Sequence, residues 1–321
     1  MWKIVLATLL FASLAARADD AFYGAAPGSF AIVTIESLLL DDAELGRPLD
    51  LRIVYPASGG PFPLIVFSHG TFSSNDVYGP VAEHWASHGY AVILPNHIDA
   101  HRGVTPQGED GMRDIIQSRA RDLSRVLDRL DDIEKRAPAL AGKIDRAHFV
   151  AAGHSVGSYV AMLTTGLRTR QPNTGAVDSF EESRFGAVVM LSDPGKMALQ
   201  PEDLWKGSVV PTFLATGTED YGLMGKGNRP TTYTMERLSG IDAQAGSKFF
   251  LLIDKADHYF GGLIHRPVEG KTPDAEGLAI FNGASVAFLD WITKGNETAH
   301  RALVQSDWPG VTNGRATLTV E

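Results

Sequence analysis

Ala147-His148-Phe149-Val150-Ala151-Ala152-Gly153-His154-Ser155-Val156-Gly157 is an apolar run that ends on a serine flanked by glycines, and its reading decides the fold. Ala147 to Ala151 has the short, apolar make-up of a strand covered on both faces. The residues after Gly157 read as a helix. So abrupt a change from strand to helix leaves no room for side chains beside the serine, which accounts for Gly153 and Gly157. It also lifts the Ser155 hydroxyl above the carboxyl edge of a sheet, where a helix N-terminus offers backbone N–H groups to a developing negative charge. A Gly-x-Ser-x-Gly pattern alone recurs by chance; the strand–turn–helix setting is what makes it a candidate nucleophile elbow. The plainer alternative is a glycine-rich turn whose serine caps a helix.

Outward from this stretch, similar apolar runs bounded by Gly, Pro or Asn fall at Ala31 to Ile35, Leu51 to Tyr55, Leu64 to Phe67, Ala91 to Leu94, Ala187 to Leu191, Thr212 to Ala215 and Phe249 to Ile253. Between them lie helical periodicities. Met112, Ile115, Ile116, Leu123, Val126, Leu127, Leu130 and Ile133 recur at three and four residues and predict an amphipathic helix from Met112 to about Lys135. A second runs from Ala275 to about Thr293. Strands alternating with helices predict an α/β fold, doubly wound, with a mostly parallel central sheet of about eight strands and helices on both faces. The first two runs, with no helix between them, predict an antiparallel pair at one edge.

The carboxyl ends of these strands carry the candidate chemistry. Phe67-Ser68-His69-Gly70-Thr71 turns at the end of one strand, and an oxyanion hole needs two N–H donors fixed in advance. The expected donors are the backbone amides of Thr71 and Val156. His69, inside that turn, is expected to brace it rather than act as a base. Ala256-Asp257-His258-Tyr259 follows the last strong strand, with Gly261-Gly262 opening a loop behind it, so His258 is the expected base. Gly217-Thr218-Glu219-Asp220 follows the preceding strand and completes the order Ser, Asp, His, which makes Asp220 the expected acid. Asp193, in Leu191-Ser192-Asp193-Pro194, stays open as an alternative acid, while Glu219 and Asp257 read as surface or supporting carboxylates.

Bulk properties exclude several functions. Lys3, the apolar run from Ile4 to about Ala16 and Ala16-Arg17-Ala18 read as a signal peptide over residues 1–18. The rest, 19–321, is expected to be one domain exported to the periplasm or beyond the cell, with no stable membrane insertion after cleavage. With no cysteine in 321 residues, neither a disulfide nor a thiol nucleophile is available. A net charge of −9 without a basic stripe excludes nucleic acid as a partner. No cofactor and no metal are expected. His97-Ile98-Asp99-Ala100-His101 has metal-like spacing but reads as a loop at the substrate edge, and Gly225-Lys226-Gly227 lacks the setting of a nucleotide site.

Taken together, the FSHG turn at Phe67 to Gly70, WASHGY at Trp85 to Tyr90 leading into AVILPNH at Ala91 to His97, RARDLSRVLDRL at Arg119 to Leu130, GHSVG, GTED and ADHYF at Ala256 to Phe260 resemble the α/β-hydrolase superfamily. The likeness covers Pro63 to Trp291. Within the superfamily they resemble the serine esterase branch of dienelactone-hydrolase-like proteins, platelet-activating-factor acetylhydrolases, polyester hydrolases and chlorophyllases. True dienelactone hydrolases of this fold use cysteine, so the serine side is the better match. Polyester hydrolases carry an aromatic Pro-Trp pair where this chain has Pro194-Gly195, which weighs against polymers. The resemblance implies hydrolysis of a small-molecule carboxylic ester. The polar loops at Ala100 to Gly111 and Thr165 to Arg184 point to short acyl chains. An amidase, peptidase or thioesterase with the same triad, or a binding protein on the same fold, are the competing expectations.

Overall fold

The computed structural model describes residues 22–42, 46–100, 111–171, 174–194, 207–221, 238, 240–265 and 269–321. The leader reading at 1–18, His101 and Gly225-Lys226-Gly227 lie outside these residues. The chain runs through β1 (Ile32–Leu40), β2 (Leu49–Pro56), β3 (Phe62–Ser68), α1 (Gly79–Ser87), β4 (Ala91–Asn96), α2 (Gly111–Asp128), α3 (Leu130–Arg136), β5 (Ile144–His154) and α4 (Val156–Thr164). It continues through β6 (Arg168–Arg170), β7 (Val177–Ser179), β8 (Phe185–Leu191), β9 (Thr212–Glu219), β10 (Lys248–Asp257), α5 (Ala275–Lys294), α6 (Glu297–Gln305), α7 (Trp308–Val311) and β11 (Ala316–Val320).

Among the described residues the main sheet has nine strands in the order β1-β2-β4-β3-β5-β8-β9-β10-β11. β4, β3, β5, β8, β9 and β10 run parallel; β2 joins them antiparallel to β4 and pairs antiparallel with the edge strand β1. The mostly parallel sheet and the antiparallel edge pair are as expected. The ninth strand, β11, is an addition to the eight expected and pairs antiparallel with β10. Two further differences concern the helices and loops. The helix expected over 112–135 is broken at Arg129 into α2 and α3, and the 165–184 segment holds the small β6–β7 ladder, with Asp178 accepting from Arg113 and Gln117 of α2.

Successive residues of the central strands feed two cores. In β3, Leu64 and Val66 pack with Leu123 and Val126 of α2 and Val160 of α4, whereas Ile65 and Phe67 pack with Val81 and Trp85 of α1 and Phe281 and Phe288 of α5. This two-sided burial explains why β3 reads as an unbroken apolar run. From β3 the chain crosses to β4 through α1 on one face, then passes back over β3 to β5 through α2 and α3 on the other. The strand order therefore reverses between β3 and β5, and the crevice beyond their carboxyl ends is where a sheet of this kind binds its ligand. Register sets Ser68 against Gly153 there, and His154 against Leu191. No helix among the described residues is long and apolar enough to cross a membrane.

Candidate active site

Ser155 stands at that crevice, in the bend between β5 and α4, with φ +55° and ψ −127°. Backbone contacts force the bend on it. A Cβ on Gly153 would lie 2.3 Å from the carbonyl carbon of Gly157, and one on Gly157 would lie 2.0 Å from the Ser68 carbonyl oxygen, so neither position admits a side chain. The Ser155 N–H donates to the Leu191 carbonyl at 2.9 Å. Ser158 Oγ lies 2.7 Å from the Gly153 carbonyl oxygen and 2.8 Å from that of Leu191, binding the bend to β8.

The imidazole of His258 sits in the turn after β10. Asp257 Oδ1 accepts the N–H groups of Tyr259 and Gly261, each at 2.9 Å, so this carboxylate shapes the loop that presents its neighbour. Asp220, just after β9, meets His258 Nδ1 at 2.8 Å and takes the Thr216 hydroxyl on its other oxygen at 2.8 Å. A carboxylate accepting from Nδ1–H leaves Nε2 with its lone pair, and that Nε2 is buried without a hydrogen-bond partner among the described residues. Asp193 is buried at the end of β8, but the carboxylate at His258 Nδ1 is that of Asp220. Gly217 is needed for this approach of β9 to β10, because a Cβ there would meet the Ala256 carbonyl oxygen at 1.9 Å.

His154 joins the two loops across the serine. Gly70 N–H donates to the Tyr78 hydroxyl at 2.9 Å, Tyr78 lies 2.9 Å from His154 Nδ1, and His154 Nε2–H donates to the His258 carbonyl at 2.9 Å. Since the last step needs a proton on Nε2, the neutral ring accepts at Nδ1 from Tyr78. Burial pushes the Tyr78 hydroxyl up to about 12, so it keeps the proton it donates. The His154 and His258 rings are 4.6 Å apart between centroids, which sets His258 beside the residue preceding Ser155.

The loop after β3 closes the crevice. A Cβ on Gly70 would lie 3.5 Å from that of Ser155, which places this loop beside the serine. Gly70 N–H goes to Tyr78, Phe72 N–H to Asp99 at 3.1 Å and Ser73 N–H to the Gly70 carbonyl at 3.2 Å. The amides of Thr71 and Val156, the two expected oxyanion donors, have no acceptor among the described residues.

Behind the loop lies a buried polar network of which sequence reasoning found the His69 brace but missed Arg119 and its partners. Arg119 of α2, fully buried, donates Nε and Nη2 to Asp99 at 2.8 and 2.6 Å, and Nη1 to the His69 carbonyl at 2.6 Å. His97 N–H donates to His69 Nε2 at 3.1 Å. The His97 ring takes the Ser68 hydroxyl at 2.9 Å and contacts Asp122 at 2.8 Å, and Asp122 receives Arg47 at 2.6 Å on each oxygen. Burial, reinforced by Arg119, holds His69 and His97 well below the usual histidine range. Burial opposes ionisation of Asp99 too, but the Arg119 hydrogen bonds and charge outweigh it and keep that carboxyl well below the usual range. His69 thus acts within its own loop, donating Nδ1–H to the Gly70 carbonyl at 2.7 Å, and the metal-like spacing at His97 and Asp99 resolves into two anchors of that loop. The signal for Arg119 was present in the helix stripe: position 119 falls between Ile116 and Leu123 on the apolar face, where a charge is out of place.

The family model described as Chlorophyllase matches residues 26–177, which include Thr71, Ser155 and Val156 and stop short of Asp220 and His258. Among curated proteins, Chlorophyllase-1, chloroplastic, of Citrus unshiu is 48% identical over 48 residues, 15% of this chain and 15% of the relative. Chlorophyllase type 0 of Chenopodium album is 31% identical over 78 residues, 24% of this chain and 22% of the relative. The platelet-activating factor acetylhydrolase of Cavia porcellus is 26% identical over 141 residues, 33% of this chain and 32% of the relative. In each case the match spans less than a third of the relative's own length.

Proposed function

We propose that this chain, which belongs to the serine esterase branch of the α/β-hydrolase superfamily, hydrolyses carboxylic esters through an acyl-enzyme on Ser155. The observation that carries the reading is the state of His258: Nδ1 is engaged by Asp220, and Nε2 is buried and, among the described residues, unpartnered beside the residue that precedes the serine. In the proposed cycle His258 takes the Ser155 proton as the hydroxyl attacks the acyl carbon, and Asp220 fixes the tautomer and stabilises the imidazolium. The amides of Thr71 and Val156 receive the oxyanion. His258 then protonates the leaving alcohol, and a water repeats the sequence to release the acid.

Short-chain acyl esters are the proposed substrates, supported by the polar make-up of the 100–111 segment and by the name of the Cavia porcellus relative, an acetylhydrolase. We further propose that 1–18 is removed on export and that 19–321 works as one domain. The test is hydrolysis of p-nitrophenyl acetate, butyrate and palmitate by wild type and Ser155→Ala, with fluorophosphonate labelling of the serine. Ser155→Ala is expected to lose about a thousandfold or more in kcat. Equal activity of the two proteins overturns the mechanism, and faster turnover of palmitate than of acetate overturns the chain-length reading.

A further inference from the structure

We propose that Arg119 is a positioning residue for the oxyanion site: it holds the Gly70 carbonyl so that the Thr71 N–H of the same peptide unit faces Ser155. The inference rests on the ester-hydrolase reading of Ser155. A trans peptide is planar, and its C=O and N–H point in opposite directions; the Gly70–Thr71 bond is trans, since Gly60–Pro61 is the one cis bond among the described residues. Whatever fixes the Gly70 oxygen therefore fixes the Thr71 hydrogen.

That oxygen has three donors, one of them the Ser73 N–H of its own turn at 3.2 Å. Arg119 Nη2 donates to it at 3.0 Å and His69 Nδ1 at 2.7 Å, while Arg119 Nη1 holds the preceding carbonyl, that of His69, at 2.6 Å. Asp99 completes the clamp, since one carboxylate takes two donors of the guanidinium and the N–H of Phe72. The peptide units on both sides of the Gly70–Thr71 bond are thus tied to one ion pair. Phe72 itself lies at φ +56°, a conformation that bulky residues avoid unless their surroundings impose it. Four N–H···O contacts in a planar fork match arginine and not lysine, whose ammonium is a point donor on a flexible stem.

Stability alone is a weak reason to retain such a pair. Burying two charges costs about as much as their attraction returns, and well-packed apolar replacements are often as stable. The pair does supply orientation, which an apolar side chain cannot. It holds a peptide dipole in place before charge develops, so no reorganisation is needed in the transition state.

The experiment measures kcat and KM for p-nitrophenyl acetate, per site titrated by a fluorophosphonate, in wild type, Arg119→Lys, Arg119→Met and Asp99→Asn. It adds inhibition by a trifluoromethyl ketone, whose hemiketal oxygen occupies the oxyanion site. Both Arg119 variants are expected to lose about tenfold to a hundredfold in kcat, with KM within threefold of wild type, and to lose ketone affinity by a similar factor. Asp99→Asn is expected to fall between them and wild type. Val126→Ala, in the same buried face of α2, serves as the stability control and is expected to lower the unfolding midpoint while kcat per titrated site stays at the wild-type value. If Arg119→Met does not fold, Arg119→Lys decides. An Arg119→Lys enzyme with wild-type kcat and ketone affinity overturns the proposal and leaves the esterase reading intact, whereas a wild type inactive on every ester overturns both.

Discussion

Ser155 occupies a backbone conformation that glycine adopts freely and serine does not. Its φ of +55° costs a non-glycine residue about 1–3 kcal/mol, and the close contacts of Gly153 and Gly157 with neighbouring backbone are what hold it there. Ser155→Gly relieves the strain, although glycine loses up to about 1 kcal/mol more chain entropy on folding. Ser155→Ala keeps the strain while removing the same hydroxyl. The glycine variant is therefore expected to exceed the alanine variant in stability by about 1 kcal/mol in urea unfolding. Identical midpoints would show that the bend is not strained. Ser155, Asp220 and His258 could be proposed together from sequence because each follows a strand end, and parallel strands bring their carboxyl ends to one edge; the structure pairs Asp220 with His258. The partners that orient them were not legible. Tyr78 meets His154 across 76 positions and Arg119 meets His69 across 50, and pairings of that kind depend on packing that no local pattern encodes.

At the level of elements, the central strands announced themselves because burial on both faces leaves apolar runs. β11 did not: five residues, Ala316–Val320, pair with β10 only because α5, α6 and α7 carry the chain back to that edge. The break between α2 and α3 was equally hidden, as no Gly or Pro lies at 128–130, and its visible anchors are a tertiary contact of Arg129 with Asp42 and a local one with Asp132, three residues on. Asp274 shows how one residue joins such elements. Its Oδ1 accepts from Gly277 N–H at 2.9 Å as the N-cap of α5, its two oxygens receive Arg315 at 3.1 and 2.9 Å just before β11, and its own N–H donates to the Phe260 carbonyl in the His258 loop at 3.0 Å. Losing the cap costs about 1 kcal/mol, and a partly exposed ion pair contributes less than about 1 kcal/mol. Asp274→Ala is expected to lower unfolding free energy by about 1–2 kcal/mol, and Asp274→Asn, which keeps a capping oxygen, by less than half of that. If denaturant titration gives the two variants equal losses, the cap is not what holds the start of α5.

For the molecule as a whole, buried titratable groups set how stability responds to acid. Burial, with help from the Arg119 charge, keeps His69 and His97 neutral well below the usual histidine range, and burial lowers the partly exposed His84 to about 4 against its hydrogen bond to the Gly24 carbonyl. In the unfolded chain each of these rings takes up a proton near pH 6.5. Below that pH the unfolded state holds more protons than the folded one, so stability present above pH 6.5 is lost as pH falls towards the folded-state values. Asp122 acts in the opposite sense. Burial raises its carboxyl to about 7 despite Arg47, so the folded protein gains a proton below pH 7 that the unfolded chain does not take up until about pH 4. Setting His69 and His97 against Asp122 leaves the unfolded state ahead by one proton. That difference corresponds to a loss on the order of 1 kcal/mol per pH unit between about pH 6 and 5, with His84 acting in the same direction. Protonating Asp122 also weakens the hold of Arg47 on the carboxylate that orients His97, so the Ser68–His69 end of β3 is expected to loosen in the same window. Urea unfolding at pH 7, 6 and 5 is expected to give a falling midpoint at an unchanged m-value, and His97→Gln is expected to flatten that slope because it removes one of the two imidazoles. A midpoint that holds constant over this range, or a His97→Gln slope as steep as that of wild type, would show that the network behind the crevice is not what makes the fold acid-sensitive.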